Sequence, residues 1–437
     1  MRQKNILLIF TDQQSAKMMS CSGNNYLSTP AMDSIAEQGT RFDIAFASNP
    51  VCVPSRFSMF TGLYPSAIGQ RSNPYEGELP ASIAEQGLGH LVRNGGYEVA
   101  YAGKQHLPGC DAEDLGFDVI SLDERDGLSE TCTDFIKKPH DKPFFLTCSF
   151  INPHDICYMA ISEHASSEQN KRLLSRGEKE MKVLQEALDS AKQWPEEEFW
   201  TNECPPLPDN HAVQENEPEL IKKGLLEQRP FRQKARDEWG EKSWRMHRWA
   251  YHRLTERVDR QIQVVLDAVK EAGIADDTVI IFTSDHGDHD ASHKLEHKTA
   301  LYEEATRVPL IIADPERKAA VDKTHLCSGI DLLPTICDYA GVKAPAEGRM
   351  GTSLKPLTGG EYTGDWRESL LIECEIGAAV RTPELMYAKY DSGANSEQLY
   401  DMVQDPGQTR NFAYDPERQK DLRKMRSLLS TNRSQKD

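Results

Sequence analysis

The segment from Cys52 to Arg56 places a thiol, a hydroxyl and a guanidinium within five residues. Pro54 fixes its own φ and disfavours a helical conformation at Val53, so we expect Cys52 in a loop that leads into a helix beginning near Pro54 or Ser55. A thiol there would face the positive end of the helix beside a cation, and could act as a nucleophile or a metal ligand. A lone Cys-x-Pro is more often a buried small hydrophobe, so other segments must support the reactive interpretation.

Two apolar runs, residues 5–10 and 278–283, have the length and composition of buried parallel strands. Ligands in open α/β sheets bind at the carboxyl ends of such strands. The polar residues that follow the two runs are Asp12 and Gln13, and Asp285 and His286. The repeated pattern predicts that these four residues meet in one crevice, although Asp12 alone would be read as a turn or helix cap.

Two further predicted strands also end at groups suited to catalysis. Residues 97–102 lead to Lys104 and His106, which would point the same way on extended backbone. They combine a cation with a group that titrates near neutrality. Residues 143–151 lead to His154. Taken alone, Lys104 and His106 would be a solvated surface feature and His154 a structural histidine.

Together these segments resemble the type I sulfatases. Cys52 to Arg56 with Thr61-Gly62 resembles the family signature, and Gly-Lys-x-His, Pro-His, Ser-Asp-His-Gly, Tyr-Glu-Glu and Arg-Val-Pro-Leu follow in the family's order. The active-site lysine is identified as Lys298, which precedes Tyr-Glu-Glu by the family spacing, in preference to Lys294. The chain departs from the family at Gln105, where tryptophan is usual, and at Gln13, where many members have aspartate.

The resemblance implies an α/β fold of the alkaline-phosphatase and sulfatase type, with a central, mostly parallel sheet sandwiched by helices and a small C-terminal α+β subdomain. We expect a catalytic domain over residues 1–358, carrying a charged helical insertion at about 161–249. Residues 359–437 would form the subdomain, with short antiparallel strands and a terminal helix. The insertion lies outside the resemblance and could border the mouth of the active site.

The resemblance also implies the nucleophile and the metal. Cys52 would be converted to formylglycine by a formylglycine-generating or sulfatase-maturing enzyme, and the hydrate of that aldehyde would attack sulfur. One divalent cation would be bound by Asp12, Gln13, Cys52, Asp285 and His286. Mostly oxygen ligands favour Ca²⁺, with Mg²⁺ or Mn²⁺ as alternatives, although the histidine nitrogen weakens the case for Ca²⁺.

The remaining catalytic roles follow from the same resemblance. Arg56 and Lys104 would hold the nucleophile and the sulfate, and Lys298 would contact the sulfate. The candidate acid for the leaving oxygen is His154, alone or with Lys298, and the candidate base that regenerates the aldehyde is His106.

These residues predict a sulfuric ester hydrolase acting on a sulfated carbohydrate. Because an Asp-Gln pair resembling residues 12 and 13 also occurs in phosphonate monoester hydrolases of the superfamily, phosphonate monoester or phosphodiester hydrolysis is the alternative. A third hypothesis is a non-catalytic relative that binds sulfated glycans. The simultaneous presence of Lys104, His106, His154 and Lys298 argues against it, because a binding protein need not keep acid, base and nucleophile together.

Composition limits the partners. The formal net charge of −18 over 437 residues disfavours nucleic acid and anionic membranes. No apolar run approaches the roughly 20 residues of a membrane span. Ten cysteines without paired spacing favour a reducing compartment. We therefore expect a cytoplasmic protein as the sequence stands, or a periplasmic or secreted one if a signal peptide was removed before Met1.

Overall fold

The computed structural model describes residues 3–74, 77–164 and 168–434. Its strands are β1 (Asn5–Asp12), β2 (Thr40–Phe42), β3 (Ala45–Phe46), β4 (Glu98–Gly103), β5 (Asp118–Ser121), β6 (Phe144–Pro153), β7 (Thr278–Ser284), β8 (Leu310–Ala313), β9 (Ala320–Asp322), β10 (Cys327–Ser328), β11 (Leu370–Cys374), β12 (Gly377–Arg381), β13 (Leu385–Tyr390) and β14 (Glu397–Asp401).

The α-helices flank these strands along the chain. They are α1 (Pro30–Gln38), α2 (Cys52–Thr61), α3 (Ala81–Ala84), α4 (Leu88–Asn94), α5 (Leu128–Lys137), α6 (Tyr158–Glu163), α7 (Glu168–Arg176), α8 (Glu178–Asp189), α9 (Glu196–Glu198), α10 (Pro230–Glu238), α11 (Glu241–Glu271), α12 (Glu303–Thr306), α13 (Leu332–Ala340) and α14 (Gln419–Ser434).

The central sheet has eight strands in the order β5-β4-β6-β1-β7-β8-β2-β9. Neighbouring strands from β5 to β7 pair in parallel, whereas β8 is antiparallel to both β7 and β2. The sheet is therefore mostly parallel, as predicted. Because β1 lies between β6 and β7, the first strand of the chain occupies the middle of the sheet.

Burial on both faces explains why β1 reads as one continuous apolar run. Ile6, Leu8 and Phe10 belong to a cluster that includes side chains of α2, α4 and α13. Leu7 and Ile9 belong to a cluster that includes side chains of α1, α5 and α11. The alternation of side chains along the strand thus packs helices against each face.

A second, antiparallel sheet forms near the C-terminus in the order β11-β12-β13-β14. Apolar side chains of this sheet and of α14, among them Val380, Tyr387, Leu422 and Met425, pack in one cluster. The small C-terminal sheet and the terminal helix agree with the expected fold class, whereas the limits at 358/359 and at 161–249 stay predictions. Among the residues described, none of the helices is both long enough and apolar enough to cross a membrane.

Candidate active site

The predicted site residues follow the carboxyl ends of four neighbouring strands. Asp12 is the last residue of β1, and Asp285 comes directly after β7. His154 directly follows β6, and Lys104 follows β4. The order β4-β6-β1-β7 brings the four residues to one edge of the sheet. The strand ends that carry Asp12 and Asp285 therefore lie side by side, as the sequence predicted.

Cys52 was expected in the loop before α2, and this expectation was wrong. Cys52 is the first residue of α2, and the first backbone hydrogen bond of the helix runs from the Ser55 N–H to the Val51 carbonyl at 3.1 Å. Pro54 occupies the third helical position, where a backbone N–H has no intrahelical partner, so the helix tolerates it. The thiol consequently lies at the positive end of α2 rather than in a preceding loop.

The sulfur of Cys52 belongs to a fully buried polar cluster. It lies 3.1 Å from Nε2 of His286 and 3.0 Å from Nζ of Lys298, and its distance to Oδ1 of Asp12 is 3.6 Å. Burial and Asp12 favour the neutral thiol, but Lys298, Lys104 and His286 together hold the pKa of Cys52 well below its usual range. The cluster therefore stabilises negative charge at position 52.

Arg56 holds the two carboxylates of the cluster in place. Its Nη2 donates to Oδ2 of Asp12 and its Nε donates to Oδ2 of Asp285, both at 2.9 Å. Its Nη1 donates to the Lys104 carbonyl at 2.7 Å and to Oγ of Ser149 at 2.9 Å. The side chain is completely buried. Its hydrogen bonds to both carboxylates therefore fix their positions relative to each other.

Lys298 connects the cluster to Gln13. Its Nζ lies 2.8 Å from Oε1 of Gln13 and 3.1 Å from Nε2 of His286. Gln13 has a φ of 72°, and its backbone N–H donates to Oδ1 of Asp285 at 3.1 Å. Lys298 thus contacts Cys52 directly, and Gln13 contacts Lys298. Lys294, which is half-buried, has no hydrogen bond to this cluster among the residues described.

The donor atoms in this cluster fit a divalent cation. Oxygens of Asp12 and Asp285, the sulfur of Cys52 and a ring nitrogen of His286 all lie within 4.8 Å of one another, and all four residues are buried. Two buried carboxylates supply the charge and the hard oxygen ligands that Ca²⁺, Mg²⁺ and Mn²⁺ prefer. Gln13 lies beside this group, with its amide oxygen directed at Lys298.

A cavity of about 720 Å³ is lined by Lys104, His106 and His154, among other residues. Nζ of Lys104 donates to Oδ2 of Asp12 at 2.6 Å, so this residue connects the cavity with the buried site. Nδ1 of His154 is buried and has no hydrogen-bond partner among the described residues. Burial lowers the pKa of His154 to about 3, and Lys104 adds to the effect.

Lys104 and His106 do not lie on extended backbone, which was the condition for expecting them to point the same way. β4 ends at Gly103, whose φ of 100° suits glycine and whose added Cβ would lie 2.1 Å from the Ser149 carbonyl oxygen. His106 has a φ of 50°, so the backbone between the two residues is not extended. Lys104 is consequently buried, while His106 is exposed at the rim of the cavity.

Sequence reasoning missed Asp288, which is completely buried beside Gln13. Nε2 of Gln13 donates to Oδ2 of Asp288 at 2.6 Å. The available signal was an acidic residue two positions after His286, in the segment that follows β7. The sequence does not show that this segment folds back against residue 13, a contact across 275 positions.

Comparison with known proteins identifies the family. The sulfatase family model matches residues 4–126 and 124–342, and a model described as N-sulphoglucosamine sulphohydrolase, C-terminal, matches residues 291–435. A Delta 4,5-hexuronate-2-O-sulfatase from Bacteroides thetaiotaomicron is 30% identical over 455 residues, covering 97% of this chain and 88% of the relative.

Solved structures agree with this assignment. A structure described as a 2-O GAG sulfatase has a TM-score of 0.84 and 29% identity, covering 100% of this chain and 93% of its own. A phosphonate monoester hydrolase of Agrobacterium radiobacter shares the fold, with a TM-score of 0.74 and 20% identity over 100% of this chain and 96% of its own. The chain therefore belongs to the sulfatase family of the alkaline-phosphatase-like superfamily.

Proposed function

We propose that this protein hydrolyses a sulfate ester of a saccharide, using a formylglycine formed from Cys52 and one divalent cation, with Ca²⁺ as the first candidate. One observation supports the proposal above all. Cys52 shares a buried cluster with two carboxylates, His286 and Lys298. Lys104 contacts this cluster through Asp12 and lines a cavity together with two histidines. The saccharide substrate is supported by the hexuronate sulfatase relative.

The formylglycine would supply the nucleophile, and the divalent cation would supply a Lewis acid. Asp12, Asp285, His286, position 52 and Gln13 are the residues that would hold the cation. Arg56 keeps the two carboxylates in place by its hydrogen bonds to both. Because its hydrogen bonds are directed at the protein, we assign Arg56 the positioning of the site, which supports the nucleophile indirectly.

The ammonium groups of Lys104 and Lys298 would neutralise the charge of the sulfate, since both lie beside the cluster. His154 would protonate the leaving oxygen. Its pKa of about 3 reflects burial and two neighbouring lysines. A bound sulfate places negative charge beside the ring, which raises the pKa of His154 and favours the acid form. His106 would act as the base from the rim of the cavity.

The test is sulfate release, measured by ion chromatography, from an aryl sulfate and a panel of saccharides sulfated at different hydroxyls. Hydrolysis of a phosphonate monoester is measured in parallel by the release of its alcohol. The Cys52 peptide is first shown by mass spectrometry to carry the aldehyde. We expect sulfate release from a saccharide that disappears in Cys52→Ala and persists in Cys21→Ala. Cys21 is half-buried, and the charged neighbours of its thiol are Asp33 and Arg41, outside the cluster around Cys52.

The other outcomes decide between the alternatives. Phosphonate cleavage without sulfate release would establish the phosphonate hydrolase alternative. The Asp12-Gln13 pair favours this alternative, because a similar pair occurs in phosphonate monoester hydrolases. Binding of a sulfated saccharide without turnover, retained in Cys52→Ala, would establish a non-catalytic binding protein.

A further inference from the structure

We propose that Asp288 is a positioning residue of this site, which fixes the Gln13 amide with its oxygen toward Lys298 and the cluster around Cys52. The consequence for catalysis rests on the function proposed above. Oδ2 of Asp288 accepts a hydrogen bond from Nε2 of Gln13 at 2.6 Å. Oδ1 of Asp288 accepts from the backbone N–H of Asp290 at 2.7 Å, so the carboxyl group is held from both sides.

The orientation matters because the two ends of a carboxamide have similar size and opposite hydrogen-bonding character. Both oxygens of Asp288 accept a hydrogen bond, Oδ1 from the Asp290 N–H and Oδ2 from Nε2 of Gln13, so Asp288 holds the NH₂ end of the amide. The oxygen end is then left for Nζ of Lys298 at 2.8 Å and Sγ of Cys157 at 3.2 Å. A reversed amide would direct N–H groups at the ammonium and leave Asp288 without this donor.

The backbone of Gln13 is fixed independently of Asp288. Its N–H donates to Oδ1 of Asp285 at 3.1 Å, and its carbonyl accepts from the hydroxyl of Tyr251 at 2.6 Å. Rotation of the carboxamide is therefore the freedom that remains, and among the described residues Asp288 supplies the carboxylate that selects one end. Asp288, Gln13, Lys298 and Cys52 form a series with successive contacts of 2.6, 2.8 and 3.0 Å.

An exchange of the two side-chain types tests the proposal. In Asp288→Asn the new amide can accept from Gln13 or donate to it, so both orientations of Gln13 become available. In Gln13→Glu the new carboxyl group at position 13 faces the buried carboxyl group of Asp288, so the N–H donor between the two residues is lost. In the double variant, the amide introduced at position 288 donates to the carboxylate introduced at position 13, whose other oxygen still accepts from Lys298. The double variant therefore restores the arrangement that each single variant destroys.

The primary measurement is Ca²⁺ binding to the demetallated protein by calorimetry, with Mg²⁺ and Mn²⁺ in parallel, and kcat/KM for sulfate release is the second. We expect each single variant to lower metal affinity by about 10- to 100-fold, the range typical of residues that orient metal ligands. The double variant should recover to within about tenfold of wild type, because residues in contact are strongly non-additive. Asp290→Asn is the control, since Asp290 pairs with Arg248 and, among the residues described, its side chain has no hydrogen bond to Gln13.

Three results would overturn the positioning role: unchanged metal affinity in Asp288→Asn, additive losses in the double variant, or an equal loss in Asp290→Asn. If Asp288→Asn does not fold, the double variant decides, because a folded protein with near-wild-type affinity supports the proposal and an unfolded one contradicts it. Failure of the proposed function is a separate result. In that case no variant, nor wild type, releases sulfate, while the pattern of metal affinities still supports or refutes the role of Asp288.

Discussion

The ammonium of Lys298 lies 3.0 Å from the sulfur of Cys52, although the two residues are 246 positions apart in the chain. Burial disfavours the charged form of the lysine, but Cys52 and Asp12 outweigh this effect and raise the pKa of Lys298. Asp12 stays beside the lysine after the proposed conversion of Cys52, and it favours a cation at the point where the proposed reaction places negative charge. The same segment carries a second lysine, Lys294, which provides an internal control.

We expect Lys298→Met to reduce kcat/KM for sulfate release by about 10²- to 10³-fold, the loss typical when one donor to a developing anion is removed. Lys294→Met should remain within about threefold of wild type, because exposed or half-exposed substitutions away from a site have small effects. Steady-state kinetics on both variants checks the assignment. An equal loss in Lys294→Met would contradict it.

Arg56→Lys should destabilise the protein. The side chain is completely buried and pairs with both Asp12 and Asp285. A lysine cannot hold two carboxylates in the same geometry, and breaking a buried ion pair costs about 3–5 kcal/mol. Urea unfolding measures the loss. In the matched variant Arg410→Lys, the arginine side chain is 67% exposed and pairs with Asp415, so the free energy of unfolding should change by less than about 1 kcal/mol.

His106→Gln tests the base at the rim of the cavity. Because His106 is exposed, the variant should keep the wild-type melting temperature. If His106 is the base, kcat should fall by about 10²- to 10⁴-fold, the usual contribution of a positioned acid or base, with a smaller change in KM. A kcat close to that of wild type would remove His106 from the mechanism, and another group would have to regenerate the nucleophile.

Metal removal should lower stability as well as activity. A ligand that binds only the folded state stabilises it by about 2.7 kcal/mol at 100 times its dissociation constant, so Ca²⁺ should raise the melting temperature of the demetallated protein. Asp285→Asn should diminish this shift, because it removes charge from the buried cluster. Asp391→Asn, at a side chain that is 44% exposed, should leave the shift intact. A full shift in Asp285→Asn would place the cation elsewhere.

Acid should destabilise the fold through His247. This ring is completely buried, and burial lowers the pKa of His247 to about 4. In the unfolded chain the histidine has a pKa near 6.5, so between about pH 6.5 and pH 4 it is protonated in the unfolded state and neutral in the folded state. Stability therefore falls as the pH drops through this range. Between pH 7.5 and pH 5.0, His247→Gln should lose about 2 kcal/mol less stability than wild type, as measured by urea unfolding. An identical loss in both proteins would refute this linkage.

The parallel sheet and the convergence of its strand ends were predictable from local pattern. Residues 5–10 and 278–283 are apolar runs followed by acidic residues, and buried parallel strands leave few other arrangements for such runs. The sequence also distinguished Lys298 from Lys294 through resemblance, and the structure brings Lys298 to Cys52.

What the sequence could not show depends on contacts between distant segments and on single backbone angles. Asp288 gains its position only because its loop folds against residue 13, a contact across 275 residues. The backbone between Lys104 and His106 is not extended, because φ at His106 is positive. The start of α2 at Cys52 depends on tertiary packing that overrides the local preference before Pro54.

The central position of β1, between β6 and β7, also determines the order in which the site can assemble. The backbone of Gln13 meets Asp285 across 272 residues, and contacts that close such long loops form late in folding. Until β7 has joined the sheet, the segment around Cys52 lacks its cover, whereas in the folded protein the residue has no exposed surface. If Cys52 is converted to formylglycine as proposed, the modifying enzyme would reach it before the sheet is complete, and faster completion of the sheet would leave more of the protein with an unmodified thiol.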